Sequence, residues 1–252
     1  MYFDTHAHYD DGKFDADRDG VLSSLPEKGV ELVMNAACDL PTVKSSVALA
    51  EKYPFVYAAV GIHPHDADTL DDAALALIES CCRHEKVKAI GEIGLDYHYD
   101  LSPRDVQKKA FRAQLELARA LDMPVIVHDR EAHEDCLAIV REFRGVTGVF
   151  HCFSGSAELA EELVRLGWYI SFTGAVTFKN AKKAPGIVAS LPEDRIMLET
   201  DCPYMTPEPF RGKRNDSSYL EYICAAVASF RGISPERAAA VTAENGRRFF
   251  SI

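Results

Sequence analysis

Nowhere does the sequence approach the roughly 20 consecutive apolar residues that a membrane span needs, so no membrane role is expected. Positive charge is also scarce. Lysine and arginine total 28 against 39 acidic residues, for a net charge of −11. That balance argues against bulk electrostatic binding of nucleic acid, which favours a basic surface. It leaves room for a local positive site on an acidic body. The seven cysteines, Cys38, Cys81, Cys82, Cys136, Cys152, Cys202 and Cys224, include no C-x-x-C pair and are odd in number. Neither a disulfide framework nor a zinc ribbon follows. Reduced, buried thiols in a cytosolic protein are the simpler expectation. The opening MYFDTHAHYDD has no basic and no apolar segment, so it does not read as a signal peptide. Linkers, repeats and low-complexity segments are missing too, and nothing points to an obligate protein partner.

What is present is a regular alternation. Short apolar runs recur at Tyr2–Asp4, Val30–Asn35, Val56–Val60, Val87–Ile93, Pro124–His128, Val146–His151, Trp168–Phe172 and Ile196–Glu199. Most are rich in Val, Ile and Phe, as buried parallel strands should be. Segments with helical spacing lie between them. In Arg104–Leu121 the apolar stripe is expected to be Val106, Ala110, Ala113, Leu117 and Leu121. Two helices are expected to close the chain, at about Ser218–Phe230 and Pro235–Phe250, the latter capped by Ser234. Eight strands alternating with helices suit a closed parallel barrel, and an open doubly wound sheet is the alternative. The strand count and the absence of a G-x-G-x-x-G after the first strand favour the barrel. So does length, because a barrel of this type uses about 250 residues. The expectation is therefore an α/β fold, a (β/α)8 TIM barrel, with residues 1–252 as a single domain. The irregular stretch Asp201–Ser217 would lie over its mouth.

The informative feature is where histidines and acids fall. His6 and His8 follow the first strand, His63 and His65 the third, and Glu92 the fourth. His128 ends the fifth, His151 ends the sixth, and Asp201 follows the eighth. In a barrel all these ends converge on one face, where active sites form. Alternate side chains of an extended H-x-H share a face, so His6 and His8 can grip one ion. A carboxylate such as Glu92 can bridge two ions through its two oxygens. His6, His8, Glu92, His128, His151 and Asp201 are thus candidate metal ligands. Imidazole suits Zn²⁺ or Mn²⁺ and carboxylate extends the range toward Mg²⁺, so the ion is not decided by sequence.

At this point FDTHAHYD, GIHPHDA, AIGEIGLDYH, PVIVHDR, GVFHCFSG and LETDCPYMTP resemble the motifs of the TatD-type metal-dependent deoxyribonucleases of the amidohydrolase superfamily. TAENGRRFF resembles that family's closing helix. The resemblance implies a (β/α)8 barrel, divalent ions and hydrolysis of DNA phosphodiesters, with DNA single strands or ends as substrate and 3′–5′ exonuclease-like action. It implies one metal on His6, His8, Glu92 and Asp201 and a second on Glu92, His128 and His151. It likens His63 to a substrate-contacting histidine, with His65 beside it. Some members of the family are linked to deacylation of mischarged transfer RNA. Where many binuclear barrel hydrolases carry a modified lysine at the end of the fourth strand, this chain has Glu92, and Lys88 only begins that strand.

Catalysis is then expected from Asp201 as general base, Glu92 as bridging ligand and His63 as an electrophilic donor. Glu199 is expected to orient a metal-binding histidine. Arg130, Lys179, Arg211, Lys213 and Arg214 are expected to hold phosphates, and Tyr97, Tyr99 and Phe178 to stack on bases. Two alternatives stand beside this. One is a hydrolase of another ester or amide, such as D-aminoacyl-tRNA. The other is a non-catalytic metal-holding module that binds nucleic acid.

Overall fold

The computed structural model describes residues 1–252. Eight strands run β1 Tyr2–Ala7, β2 Val30–Ala36, β3 Val56–Val60, β4 Val87–Asp96, β5 Val125–Arg130, β6 Gly148–Phe150, β7 Tyr169–Phe172 and β8 Ile196–Leu198. They pair in parallel in sequence order. The helices are α1 Arg18–Ser24, α2 Leu40–Lys52, α3 Asp72–Cys81, α4 Arg104–Leu121, α5 His133–Glu142, α6 Ala157–Arg165, α7 Ala184–Ser190, α8 Leu220–Arg231 and α9 Pro235–Phe250. The fold is the expected TIM barrel.

Closure between β8 and β1 uses few ladder bonds, because β8 is only three residues long. A single bridge joins Ala7 to Cys202. Side chains complete the seam. The Thr5 hydroxyl donates to the Leu198 carbonyl at 3.0 Å, and the Thr200 amide donates to the buried Asp4 carboxyl at 2.8 Å. Burial pushes the Asp4 carboxyl up to about 7 despite its bonds from Ser217 and Thr200.

The barrel interior is filled by Phe3, Met34, Ala59, Ala89, Ile126, Val149 and Met197, and α9 plugs its floor with Phe249 and Phe250. Burying one such ring contributes about 1.5–3 kcal/mol. Strict alternation from Phe3 and Ala89 would turn His6, His8 and Glu92 outward. Register shifts between Asp4 and Ala7 in β1, and between Ile90 and Ile93 in β4, reverse that parity. Bulges of this kind re-aim side chains at barrel rims. Here they turn three polar groups into the mouth.

Several boundaries differ from expectation. β1, β4 and β5 run further, so His6, Glu92 and His128 lie within strands instead of at their ends. The penultimate helix begins at Leu220, after a short turn at Ser217–Tyr219. The stripe expected on α4 is met in part: Ala110 is buried and Leu117 and Leu121 pack half-buried against the core, while Val106 and Ala113 are not on the buried face. Its buried face carries Gln107, Ala110, Phe111, Gln114, Leu115 and Ala118. Two glutamines are buried there because the tips of β3 and β4 need hydrogen-bond partners. Gln114 accepts from the Ile62 amide at 2.8 Å and donates to its carbonyl at 3.0 Å. Gln107 does the same for Asp96, at 2.9 and 3.1 Å. The Ser234 cap of α9 is present, accepting from the Arg237 amide at 3.2 Å.

Candidate metal centre

All six ligand candidates meet at the C-terminal face, around Glu92. One oxygen of Glu92, Oε2, lies 3.2 Å from His6 Nε2 and 3.6 Å from His8 Nε2. The other, Oε1, lies 2.7 Å from both His128 Nδ1 and His151 Nε2. Asp201 Oδ1 closes the first group, 3.3 Å from His8 Nε2 and 3.8 Å from His6 Nε2. The His6 and His151 rings stack at 4.0 Å between centroids, joining the two groups. Asp201 holds a left-handed backbone, φ 56°, uncommon outside glycine but tolerated best by Asp and Asn. Its amide bond to the His6 carbonyl, 2.9 Å, ties it to β1.

The outward nitrogens fix the neutral tautomers. A carbonyl only accepts, so the 2.9 Å contact to Ala36 places the proton of His8 on Nδ1 and turns the Nε2 lone pair inward. Asp96 does the same for His128, taking its Nε2–H at 3.0 Å. Glu199 stands 3.4 Å from His151 Nδ1 and also accepts from the Ser171 hydroxyl at 2.6 Å. The lone pairs of His8 Nε2 and His128 Nδ1 therefore face the carboxylate oxygens of Asp201 and Glu92, while the outer nitrogens of His6 and His151 are buried without a hydrogen-bond partner. A donor set of that kind fits a cation. The ionisation tendencies show the same pull on positive charge, here on protons. Burial raises Glu92, yet facing His151, His6 and His63 draw it well below the usual carboxylate range. Burial lowers His8 and His151, yet Cys38 with Asp201 lifts the former and Glu92 with Glu199 lifts the latter, each well above its usual value. The centre attracts positive charge.

His63 differs. Its Nδ1 accepts from the His65 amide at 3.1 Å, which leaves the proton on Nε2. That N–H points inward, 3.6 Å from Glu92 Oε1. Burial and the neighbouring His128 push its pKa well below the usual value, so the ring is neutral. It is a donor beside a set of acceptors.

A family model described as TatD related DNase matches residues 3–251. The chain belongs to that family. It is 45% identical, over the whole of both chains, to the metal-dependent hydrolase YabD of Bacillus subtilis strain 168. It is 34% identical to the 3′-5′ ssDNA/RNA exonuclease TatD of Klebsiella pneumoniae strain 342, covering 99% of this chain and 98% of that one. The crystal structure of YjjV, a TatD homologue from Escherichia coli K12, superposes with a TM-score of 0.94 at 31% identity, covering 100% and 98% of the two chains.

Around the centre of this TatD-family enzyme lie residues that sequence reasoning placed loosely or missed. Asp96, in the motif AIGEIGLDYH, was missed although it lies two residues before His98 at a strand tip. It is fully buried and shared by His128 and His65, each at 3.0 Å. Tyr204 was missed as well. It is 44% exposed beside His8, with Lys13 4.0 Å above its ring. At the rim Arg130 covers Tyr99 at 4.7 Å and Arg211 covers Phe178 at 3.9 Å. Lys213 lies 5.4 Å from the Phe210 ring and Lys179 is exposed. Two expected contacts are already engaged. The Arg214 guanidinium makes a bidentate pair with Asp17, 2.7 Å at each oxygen. Tyr97 donates to Asp135 at 2.6 Å and packs under Arg104. No helix is long and apolar enough to cross a membrane.

Proposed function

We propose that the protein is a metal-dependent deoxyribonuclease that hydrolyses phosphodiesters from the 3′ end of single strands. The observation that supports this best is Glu92, whose two oxygens each face a separate imidazole group at the open end of the barrel. Two divalent ions, Mg²⁺, Mn²⁺ or Zn²⁺, suit that arrangement. His6, His8, Asp201 and Oε2 would hold one, and His128, His151 and Oε1 the other. Bound there, such ions supply Lewis acidity, polarising a phosphoryl oxygen and activating water near neutral pH.

The chain's own groups divide the remaining work. Asp201 keeps 15% of its side chain exposed while Glu92 keeps 3%, so Asp201 is the carboxylate that water reaches from the mouth. It takes the proton of the attacking water. His63, neutral with its Nε2–H inward, donates to a non-bridging oxygen as charge builds there. Glu199 and Asp96 hold the His151 and His128 rings in place. The aromatic and cationic pairs at Tyr99 and Phe178 take flanking bases and phosphates. An accessible base and an inward donor suit turnover better than a purely structural site, which would be closed.

The test is product length. Metal-stripped protein is reloaded with each ion and given single- and double-stranded DNA labelled at either end. Stepwise shortening from the 3′ end of single strands is expected. DNA left intact under every ion, with an aminoacyl ester of RNA hydrolysed in parallel, would overturn the nuclease reading in favour of an esterase.

A further inference from the structure

On the same face as the metal centre lies a hollow of about 440 Å³, with Phe178 and its Arg211 cover on its wall. Its walls come from the loop after β6, the end of β7, the loop that follows it and α7. Phe153, Phe172, Phe178 and Ile187 line it, and Lys182 and Lys183 stand at its edge. Phe153 follows His151 by two residues, so this wall is continuous in sequence with the second group of imidazoles. The wall is built closely. A Cβ on Gly155 would lie 2.8 Å from the Phe153 ring and 2.7 Å from Leu159. Gly174, behind the other wall, leaves no room either, since a Cβ would meet the Met205 carbonyl at 2.0 Å. The Arg211 guanidinium sits over the Phe178 ring at 3.9 Å, so a cation borders the aromatic wall.

We propose that this hollow is a nucleobase subsite, holding one base of the substrate strand while Arg211, Lys182 and Lys183 take the phosphate beside it. The inference rests on the nuclease reading and adds to it a defined seat for one flanking nucleotide. The volume falls in the range of small-molecule sites. Aromatic walls suit a planar ring, and stacking tolerates any base. Asn180 and Ser154 on the lining offer hydrogen-bonding groups to its edge. A lipid chain would suit the apolar wall but would leave the cationic border without a partner. A base carries its own phosphate to that border.

The experiment scans a single abasic residue along the 3′ region of a short single-stranded DNA, using the metal-loaded enzyme. At one position KM is expected to rise about ten-fold, the scale of one lost stacking contact, with kcat largely kept. In F178A, and separately in the milder F153L, that position should lose its special effect. A second readout is free of turnover: a trinucleotide with 2-aminopurine at the same position should be quenched by the wild type and less by F178A. DNA cleavage with no position-dependent KM and no quenching overturns the subsite and leaves the nuclease reading standing. Quenching that F178A abolishes, without cleavage under any ion, upholds the subsite and overturns the nuclease reading. Neither cleavage nor quenching overturns both.

Discussion

The centre and the rim of this barrel are anchored in different ways. In the centre, His8 and His128 are held through their outward nitrogens by fixed acceptors, the Ala36 carbonyl and Asp96. At the rim, cations lie on aromatic rings, Arg130 on the exposed Tyr99 and Arg211 on the half-buried Phe178. A buried, hydrogen-bonded group has one geometry before any ligand arrives, which is what electrostatic catalysis needs. A long cation on a ring retains much of its rotamer freedom and adapts to a flexible strand. The two regions should therefore fail differently. Damage to the centre should appear in metal content and turnover, and damage to the rim in KM and salt dependence.

The largest effect is expected at Glu92. E92Q keeps the shape but removes the charge shared by both groups of imidazoles. Activity should fall by about 10⁴-fold, the upper end for loss of one catalytic group. Mass spectrometry of the purified protein should show both ions depleted together. Depletion of one ion with the other retained would break the shared-carboxylate picture. D201N comes next, with a loss of about 10²–10⁴-fold. It touches one group only, so the ion on His128 and His151 should stay. Near-normal turnover in folded, metal-loaded D201N would remove Asp201 from the role of base.

Within the centre, D96N and E199Q sharpen the comparison further. Neither residue is a proposed ligand; each holds a histidine from behind. Substituting such groups costs about 10–100-fold in metal affinity or activity. Titration of the stripped variants with Mn²⁺ should show that weakening, and saturating metal should restore most turnover. D96N should be the worse of the two, because Asp96 serves His65 as well as His128. Unchanged affinity in both variants would mean that the rings are held by packing alone.

The same contrast explains what could be read from the sequence. In β5 and β6 the alternation is regular, so Ile126 and His128, or Val149 and His151, share the inner face and announce each other. The barrel and those candidate ligands are legible there. In β1 and β4 the inner core residues, Phe3 and Ala89, stand at the wrong parity for His6, His8 and Glu92. Only a register shift reconciles them, and no local residue pattern announces it. Asp96 and the two glutamines of α4 stayed hidden for a related reason. Their partners are strand-tip groups that become neighbours only after folding. The rim was least legible. The partner of Arg214 is Asp17, far away in sequence, and nothing in R-G-K-R distinguishes a committed cation from a free one.

That last difference yields the smallest and most discriminating prediction. Arg211, Lys213 and Arg214 look alike in the sequence, and neutralising all three is expected to raise KM with kcat largely kept. Their surroundings are unlike. Arg214 donates to both oxygens of Asp17 and to the Lys13 carbonyl at 2.8 Å, so turning to a phosphate means giving up three bonds. Arg211 has one 3.2 Å bond to the Thr206 carbonyl and otherwise rests on Phe178. Lys213 is exposed near Phe210. R211A and K213A should therefore each flatten the dependence of log Kd on log salt, by somewhat under about one unit per phosphate contact on a single strand. R214A should leave the slope unchanged and lower the melting temperature slightly, because what it loses is the tie between the lid segment and the loop after β1. Binding measured by anisotropy from low to moderate salt reads all three variants. A flattened slope in R214A with unaltered melting would show that substrate pulls the guanidinium from Asp17. The rim would then be a surface that rearranges on binding, and the pairing seen here a resting state. Unchanged slopes in R211A and K213A would make this loop a solvated lid and move phosphate recognition to the lysines beyond β7.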